Sequence, residues 1–320
     1  CTRHGASTGT KAASDGFAFE RARSHSVRFM TQRHTPQRTW LITGASSGLG
    51  RALTETALAA GDTVVAAMRR PERIDDLLVE HPESLLPIAF DVRDTESAPA
   101  VVEAAIDRFG RIDVLVNNGG VGQIGSAEEV DTARLRDMLD QHVVGPAALT
   151  RASLPGMRAR GTGTIVQMSS QGGRISFPGA GSYSAGKFAL EGWSEALAGE
   201  VAPFGIRVLI VEPSRFRTGF NSADVLERAA PVDAYADLLG DFRADMLAAD
   251  GRQEGDPHRA ALVIRQLVGA ESAPLRIPLG REAVRRLRES YRRELASLET
   301  HAELSSSADF PGVPESVRPV

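Results

Sequence analysis

The sequence predicts an α/β fold in which a single doubly wound parallel sheet of about seven strands is flanked by helices. Two observations predict it. From Thr39 onward, short apolar runs of strand length alternate with longer stretches of helical periodicity, and this alternation is typical of a parallel sheet covered by helices. Apolar residues also make up 42% of the 320 residues, enough to bury a substantial core. Because ligands of such sheets bind beyond the carboxyl ends of the strands, we expect the functional residues directly after strands.

The strands and helices can be placed in chain order. The predicted strands are 39–43, 63–68, 85–90, 112–117, 163–169, 206–211 and one with a weaker pattern near 275–279. The predicted helices are 48–60, 71–80, 95–109, 128–159, 182–203, 257–269 and 280–299. Right-handed crossovers between these units build the doubly wound sheet, which gives one domain over residues 38–300.

Three segments fall outside this alternation. Residues 1–37 lack helical or strand periodicity, and we expect them to be disordered. Residues 214–256 contain Pro231 and short apolar clusters, a pattern that favours a lid over the ligand, with an ordinary surface insertion as the alternative. The tail at 301–320 contains three prolines and is expected to be flexible.

The opening segment allows two further interpretations. It is rich in Arg and Ser, as transit peptides are, although its residues Asp15 and Glu20 argue against a targeting role. The chain begins with Cys1, and Met30 lies shortly before the first strand. These positions suggest the hypothesis that residues 1–29 are an artefact of the gene model. N-terminal sequencing that began before Met30 in the native protein would contradict it.

Composition argues against several classes of function. A net charge of −4 with 24% charged residues gives no basis for expecting a nucleic-acid or acidic-membrane partner. Cys1 is the only cysteine, which excludes an internal disulfide and any cysteine-based metal cluster and fits a reducing compartment. No apolar run approaches the ~20 residues that span a bilayer. We therefore expect a cytoplasmic protein that holds no metal.

A glycine-rich segment joins the first predicted strand to the first predicted helix. Gly44 permits a tight turn, Gly48 lets the backbone approach a pyrophosphate, and Gly50 lets the helix pack closely on the strand. The helix amino terminus then offers free N–H groups and a favourable dipole to the phosphates. The pattern predicts a Rossmann-type dinucleotide site. Its predicted phosphate-binding residues are Gly44, Ser46, Ser47, Gly48, Leu49 and Gly50.

The residues after the second and third predicted strands bear on which dinucleotide binds. Met68 stands where an acidic residue would bind the adenosine ribose, and Arg69 follows it. Because a guanidinium can bind a phosphate with two hydrogen bonds and stack on adenine, Arg69 favours NADP(H) over NAD(H). A solvated pair, Arg69 with Arg70, is the alternative. Asp91 and Val92 are expected to contact the adenine.

Tyr183 and Lys187 lie at the start of the predicted helix 182–203 with a spacing that places both on one face. A free phenol titrates near about 10, and a neighbouring cation favours the phenolate. We therefore expect Lys187 to lower the pKa of Tyr183 and make it a proton donor and acceptor at neutral pH. Taken alone, the same spacing also fits a surface pair.

Polar and small residues follow two other predicted strands. Ser169 and Ser170 end the strand at 163–169, where a hydroxyl can donate to a substrate oxygen and stabilise its developing charge. Asn117–Gly120 follow the strand at 112–117 and place amides and small residues beside a cofactor. Each motif alone also fits a turn, but their joint position at strand ends favours a catalytic site.

These motifs together resemble those of the short-chain dehydrogenase/reductase family, and the resemblance covers residues 38–300. The matching segments are Thr43–Gly50, Asn117–Gly120, Ser170 and the Tyr183-x-x-x-Lys187 pair. The resemblance implies that Tyr183 is the acid/base, that Ser170 orients and polarises the substrate oxygen, and that Lys187 anchors the cofactor ribose. Ser170 is preferred to Ser169 because its spacing to Tyr183 matches that of the family.

Three positions depart from the family pattern. His142 stands where the family often has an Asn that supports a water chain to the lysine. A pH-sensitive proton relay is one interpretation of this imidazole, and a packed or surface histidine is the other. Gly119 stands where Ala is usual, and Ser214 replaces the usual Gly. The further residues that the resemblance places at the cofactor are Asn118, Gly119, Pro213 and Thr218, the last of them at the nicotinamide carboxamide.

The predicted function is that of an NADP(H)-preferring oxidoreductase that moves a hydride between nicotinamide and a carbonyl or secondary alcohol. Two alternatives remain: a non-catalytic dinucleotide sensor or scaffold of the same fold, and an epimerase or dehydratase that uses the cofactor transiently. The expected pocket walls are Gly120–Gly125, Gly172–Gly179 and the 214–256 lid. Among them Phe177, Phe216 and Phe220 suggest a hydrophobic small-molecule substrate.

The resemblance also implies an oligomer. Family members commonly form homodimers or homotetramers, and the helices 128–159 and 182–203 are the expected contact surfaces. Burial of their apolar seam inside one monomer is the alternative.

Overall fold

A computed structural model describes residues 37–222 and 225–316 of the chain. Its strands are β1 Thr39–Thr43, β2 Thr63–Met68, β3 Leu85–Ala89, β4 Val114–Asn117, β5 Gly122–Ile124, β6 Gly163–Met168, β7 Ile206–Pro213, β8 Leu226–Arg228 and β9 Arg276–Leu279. Its α-helices are α1 Gly48–Ala59, α2 Asp75–Glu80, α3 Ala98–Phe109, α4 Thr132–Leu139, α5 Gly145–Arg160, α6 Gly181–Val201, α7 Ala236–Ala248, α8 Pro257–Gly269 and α9 Arg281–Ser306. A seven-stranded parallel sheet runs in the order β3-β2-β1-β4-β6-β7-β9, which confirms the predicted fold class.

The order of the strands reverses beside β1. This strand pairs in parallel with β2 on one side and with β4 on the other. The chain first builds the sheet outward from β1 through β2 to β3, and then returns to add β4 on the opposite side. Loops that follow β1 and β4 therefore diverge and leave a crevice at the carboxyl ends of the strands, where such sheets bind ligands.

The central strands are buried on both faces. Every residue of β1, β4 and β6 is buried, which explains why these strands appear in the sequence as continuous apolar runs. Alternate side chains point to opposite faces. Trp40 and Ile42 pack in the core layer that includes Leu53 of α1 and Ile264 of α8. Leu41 packs in the layer on the other face, with residues of α3 and α5.

The predicted helix over 128–159 is divided into two. α4 ends at Leu139, a π-helical turn follows at Asp140–Val144, and α5 begins at Gly145. A Cβ on Gly145 would lie 2.1 Å from the carbonyl oxygen of Val92, so only glycine lets α5 pass this close to the loop after β3. The contact between Gly145 and Val92 joins segments that are distant in the sequence. Helical periodicity alone therefore does not predict the π turn that accompanies it.

Residues 214–256 contain regular structure that the sequence pattern did not predict. They include β8 and α7, and β8 pairs in parallel with β5 in a separate two-stranded sheet. Each of these strands is three residues long, too short for alternation to be recognised. α7 buries only Leu239, and a helix with so narrow a buried face has a weak periodic signal.

The C-terminal helix is longer than predicted. α9 runs from Arg281 to Ser306, so residues 301–306, which belong to the tail predicted to be flexible, are helical. Ala302, Glu303 and Leu304 are residue types that extend a helix readily, and the first proline of the tail comes only at Pro311. The disorder predicted for residues 1–37 falls outside the described residues except at Gln37, and residues 317–320 also fall outside them.

Within residues 37–222 and 225–316, none of the helices combines the length and the apolar character needed to cross a membrane. The same part of the chain has no group of three or more His, Cys, Asp or Glu side chains placed to hold a metal ion. The cytoplasmic location stays a prediction.

Candidate active site

A cavity of about 520 Å³ opens at the carboxyl ends of the strands. Its walls come from the residues that follow six strands of the large sheet, from the lid and from α6 and α9. Every predicted site residue lines it except Gly50. The predicted residues in its wall are Gly44, Ser46, Ser47, Gly48, Leu49, Arg69, Asp91, Val92, Asn118, Gly119, His142, Ser170, Tyr183, Lys187, Pro213 and Thr218.

The glycine loop has the geometry that its sequence predicts. Gly44 and Gly48 have φ angles of +65° and +56°, a region that L side chains rarely adopt. Gly50 lies behind the loop, where an added Cβ would be 2.3 Å from the carbonyl oxygen of Gly44. Ser47 precedes α1 without a side-chain capping bond, so the first amides of that helix are available to an anion.

Asn118 holds the glycine loop in place. Its side-chain amide donates to the carbonyl oxygen of Thr43 at 2.9 Å. The hydroxyl of Thr43 in turn accepts hydrogen bonds from the backbone N–H groups of Asn118 and Gly119, at 2.9 and 2.8 Å. Asn118, predicted to contact the cofactor, therefore also ties the loop after β4 to the loop after β1.

The predicted adenosine end is rich in arginine. Arg69, Arg70, Arg73 and Arg93 all line the cavity there, and Arg69 and Arg70 are exposed. Asp91, predicted to contact adenine, already accepts hydrogen bonds from the Arg93 backbone and guanidinium at 2.7 to 3.0 Å. These bonds hold the pKa of Asp91 below its usual value, and the charge of Arg69 lowers it further. Arg93 was not predicted as a site residue, because an Asp-x-Arg spacing has no special meaning without the loop geometry.

Tyr183 is half-buried beside Ser170. Burial raises the pKa of Tyr183 to about 12, and the neighbouring hydroxyl of Ser170 offsets part of that rise. Ser170 is held by its own loop, since its hydroxyl accepts from the N–H of Gly172 at 3.0 Å. Gly172 also makes room for the phenol, because a Cβ there would lie 3.3 Å from Cε1 of Tyr183.

Lys187 lies one helical turn after Tyr183 and is buried. Its Nζ donates to the carbonyl oxygen of Met168 at 2.7 Å and lies 5.8 Å from the centre of the Tyr183 ring. Burial lowers the pKa of Lys187 to about 7, and Glu191 opposes this in part. The pKa of Tyr183 is therefore raised overall and not lowered as predicted, because desolvation of the phenol is the dominant effect.

His142 occupies the π-helical turn and is buried. Its Nε2 lies 3.0 Å from the carbonyl oxygen of Val121, and since a carbonyl only accepts, Nε2 carries the proton. Nδ1 is buried and has no hydrogen-bond partner among the described residues. The ring meets Tyr183 edge-on, with centroids 5.4 Å apart. An exposed surface position, one of the interpretations of this residue, is therefore excluded.

The charge state of His142 differs from expectation. Burial, together with the charge of Lys187, holds the pKa of His142 well below its usual value. The ring is therefore neutral near pH 7, and the predicted pH sensitivity does not fall in the physiological range. Two glycines accommodate the ring: a Cβ on Gly120 would lie 2.5 Å from its Cε1, and a Cβ on Gly186 would lie 3.2 Å from its Cβ.

A buried acidic pair lies behind Lys187. Glu191 and Glu212 are 3% and 1% exposed, and both face Arg276, whose Nε lies 2.9 Å from Glu191 and 4.0 Å from Glu212. Burial and the charge of Glu191 raise the pKa of Glu212 to about 7, and Arg174 and Arg276 oppose the rise. Glu212 therefore changes protonation near neutral pH beside the candidate site.

We expect Glu212→Gln to stabilise the fold more at about pH 8 than at about pH 5, by about 2 kcal/mol. The folded pKa of Glu212 is raised from 4.5 to about 7, so its contribution to stability falls as pH rises through that window. Urea unfolding at both pH values measures the difference. Glu195→Gln, which removes an exposed partner of the same Arg276, should not reproduce the pH trend. An equal effect of Glu212→Gln at both pH values would contradict the prediction.

The wall opposite the glycine loop is aromatic. Phe220 of the lid packs against Tyr183 with ring centroids 5.8 Å apart. Phe177 lies under the guanidinium of Arg286 at 4.8 Å, and Arg286 pairs with Glu282 at 2.8 Å. The remaining lining residues from α7 are Phe242, Asp245 and Met246. The predicted lid over 214–256 includes α7, whereas the α9 residues were not predicted, because only the fold brings that helix to the cavity.

A family model for short chain dehydrogenases matches residues 38–228, more than half of the chain and the whole span from the glycine loop to Lys187. The chain belongs to this family. The predicted resemblance is thereby confirmed, together with the prediction that the protein is an oxidoreductase of the short-chain type.

Named relatives agree with that assignment. Oxidoreductase BOA17 of Botryotinia fuckeliana is 34% identical to this short-chain dehydrogenase over 246 residues, which cover 77% of this chain and 89% of the relative. A 3-ketodihydrosphingosine reductase of Bacteroides thetaiotaomicron is 34% identical over 242 residues, which cover 75% of this chain and 87% of the relative. The alignments span most of each protein, so the likeness is not confined to the dinucleotide motif.

The solved structures also include a similar protein. A short-chain dehydrogenase from Streptomyces avermitilis has 45% sequence identity and a TM-score of 0.80, over 87% of this chain and 100% of that one. The likeness at this identity extends the family assignment beyond the span of the family model, into the C-terminal part of this short-chain dehydrogenase.

Proposed function

We propose that this short-chain dehydrogenase uses a nicotinamide cofactor, prefers NADP(H) to NAD(H), and reduces a hydrophobic carbonyl compound or oxidises the corresponding secondary alcohol. The observation that carries the proposal is that Tyr183, Ser170 and Lys187 line the same cavity as the glycine loop. A protein that only senses or binds a dinucleotide has no need of a half-buried phenol and a buried amine beside the cofactor. A purely binding function is therefore the weaker candidate.

The residues after β1 fit a dinucleotide phosphate. The backbone at Gly44 and Gly48 is left-handed, and the amides of the first turn of α1 are available to an anion. Thr218 of the lid borders this cradle, since a Cβ on Gly48 would lie 3.2 Å from its Cβ. When bound there, the cofactor would supply or accept the hydride, a step that protein side chains cannot perform.

In the proposed reduction, the protein's own groups manage the carbonyl oxygen and its proton. Ser170 donates to that oxygen, and Tyr183 transfers its proton to it as negative charge develops. Because the pKa of Tyr183 is about 12, the phenol is protonated at neutral pH and ready to donate. Lys187 then stabilises the phenolate that is left. Because the pKa of Lys187 is about 7, its positive charge, and with it this stabilisation, decreases as pH rises through neutrality.

His142 is proposed as a positioning residue for Tyr183. Its neutral ring is fixed by the carbonyl oxygen of Val121 and meets the phenol edge-on. Its buried Nδ1 is an acceptor that has no hydrogen-bond partner among the described residues, so a water molecule that donates to it would extend a proton path from Lys187.

We expect His142→Leu to lower kcat about 10- to 100-fold and to change the pH profile of kcat, because the acceptor at Nδ1 is lost. His142→Asn, which keeps a donor for Val121 and an acceptor, should stay within about tenfold of the parent. Steady-state rates across the pH range measure both effects. Equal losses in the two variants, with unchanged pH profiles, would show that the ring only fills space.

We expect Arg69→Gln to raise the Kd of NADPH about 10- to 100-fold and to leave that of NADH within about threefold, because a phosphate loses a charge-assisted partner. Fluorescence titration with each cofactor measures both constants. Arg70→Gln is the matched comparison, since it removes the same charge from the neighbouring exposed position. If Arg69→Gln weakened the binding of NADPH and NADH equally, the charge of Arg69 would act only at long range and not on the additional phosphate.

The central test of the proposed function is net cofactor turnover. Purified protein would be incubated with NADPH and ketones of increasing apolar chain length, and with short charged 2-keto acids as the comparison. Net NADPH consumption that increases with chain length supports a reductase for hydrophobic carbonyl compounds. Substrate conversion without net consumption would instead favour an epimerase or dehydratase.

A homodimer or homotetramer is also proposed. Leu135 of α4, Val144 of the π turn and Phe188 of α6 are 38%, 42% and 45% exposed. They lie on the two predicted contact segments, 128–159 and 182–203, and support pairing through these helices. Sedimentation of the purified protein would determine the assembly.

A further inference from the structure

The last helix leaves the body of the protein near its middle. The first part of α9 buries Ala283, Leu287 and Ser290. Tyr291 keeps a contact with the body, because its hydroxyl accepts from Nε of Arg174 at 3.1 Å. Every described residue after it is exposed, although α9 continues to Ser306. At 1.5 Å per residue, roughly 24 Å of helix projects from the domain.

An apolar stripe runs along α9 from its docked part into the projecting part. Its members recur every three or four residues and therefore share one helix face. They are Val284, Leu287, Tyr291, Leu295, Leu298 and Ala302. Leu295 and Leu298 are 56% and 64% exposed. A helix of this length is only marginally stable by itself in water, so this stripe favours a partner that packs on it.

Charged residues beside the stripe change sign along the helix. Arg288 and Arg292 flank it before Leu295, and Glu299 and Glu303 flank it on the same side afterwards. Side chains on this flank of one helix meet the same flank of an antiparallel copy. Arg292 would then face Glu299 of the partner subunit, and Arg288 would face Glu303 of the partner subunit.

Both pairs fit a single register. In an antiparallel pair, residues that face each other are symmetric about one position in the sequence. Arg292 and Glu299 are symmetric about the position directly after Leu295, and so are Arg288 and Glu303. This leucine would therefore lie beside the two-fold axis, with Leu298 near Tyr291 and Leu295 of the partner subunit. Within the described residues, none of the four charged side chains forms an ion pair in its own chain. A parallel copy would not bring the basic and acidic halves together.

We propose that α9 is a dimerisation element that pairs antiparallel with α9 of a second copy of this chain. The apolar stripe supplies the buried contact, and the basic and acidic halves of the flank set the direction and register. This surface is separate from the one expected on α4, α5 and α6, and the proposal does not depend on the proposed catalytic function.

Charge exchange in the full-length chain tests the pairing. Sedimentation velocity over a range of protein concentrations would measure the association constant of each variant. Arg292→Glu should raise the dissociation constant at least tenfold, because the new carboxylate faces Glu299 of the partner subunit. The double variant Arg292→Glu/Glu299→Arg should return it to within about threefold of the parent. Arg293→Glu, the same charge change on the opposite face of the helix, should have little effect.

Leu298→Asp provides a second, apolar test. It should raise the same dissociation constant at least tenfold, with the helical content checked by circular dichroism. If the subunits also pair through α4, α5 and α6, the expected result is a tetramer reduced to a dimer. An assembly unchanged by both Arg292→Glu and Leu298→Asp would overturn the proposal, and so would a double charge exchange that fails to restore it.

A membrane surface is the competing occupant of the stripe. Vesicles of phosphatidylcholine with phosphatidylglycerol would be sedimented with the parent and with Leu298→Asp. If Leu298→Asp loses vesicle binding while its oligomeric state stays that of the parent, the stripe is a membrane face and the dimer proposal is wrong. Absence of vesicle binding by a dimeric parent would support the dimer.

Discussion

Tyr183→Phe is expected to lower kcat about 1,000-fold or more while the Kd of the cofactor changes less than about threefold. The substitution removes only the hydroxyl, and the ring keeps its edge contacts with His142 and Phe220. The site would therefore retain its shape and its cofactor cradle, but the developing oxyanion would have no proton donor. Single-turnover kinetics with bound cofactor would separate the chemical step from binding.

A matched control for this variant is Tyr235→Phe. Tyr235 also donates a hydrogen bond, to Glu128 at 2.9 Å, but it lies on the exposed side of the lid. This variant should keep the rate of the parent. If Tyr183→Phe kept a rate within about tenfold of the parent, another group would have to deliver the proton, and Tyr183 would lose its assigned role.

Gly50→Ala is expected to lower the free energy of unfolding by about 3 kcal/mol and to weaken cofactor binding at least about tenfold. The added Cβ would lie 2.3 Å from the carbonyl oxygen of Gly44 and 2.5 Å from the side-chain amide of Asn118. The glycine loop would have to move away from α1, which would disturb the cradle as well as the core. Urea unfolding and cofactor titration measure the two effects.

Gly192→Ala is the comparison for this substitution. Gly192 is exposed in the middle of α6, and an added Cβ meets no atom within 4 Å. Because alanine favours the helix, this variant should gain about 0.5 to 1 kcal/mol. A Gly50→Ala protein as stable as Gly192→Ala, with parental cofactor affinity, would show that the loop tolerates displacement.

Much of the fold was predictable, because its signals are local. The central strands of the large sheet are buried on both faces and appear as apolar runs, and many residues of the site follow the strands directly. Gly44 and Gly48 could be recognised because their backbone conformation is needed whatever surrounds them. Seventeen residues were predicted at the site, and the placement of most of them follows from strand order alone.

The rest depended on contacts between distant segments. The neutral state of His142 and the raised pKa of Tyr183 are consequences of burial, which neither residue type nor spacing indicates. The bond from Arg93 to Asp91 requires the conformation of the loop after β3. The α9 residues of the cavity wall, such as Arg286, come from a segment remote in sequence from the catalytic motifs.

The π-helical turn at Asp140–Val144 constrains how this region of the chain can change. A π turn amounts to one additional residue inserted in a regular helix. Deleting one residue there would restore a continuous α-helix and leave its two halves in nearly the same relative orientation, because the wide turn absorbs the additional residue. The side chains of the turn itself would point in new directions, and His142 would leave the phenol. We infer that α4 and α5 could survive a change of length here, whereas the position of His142 beside Tyr183 depends on the turn.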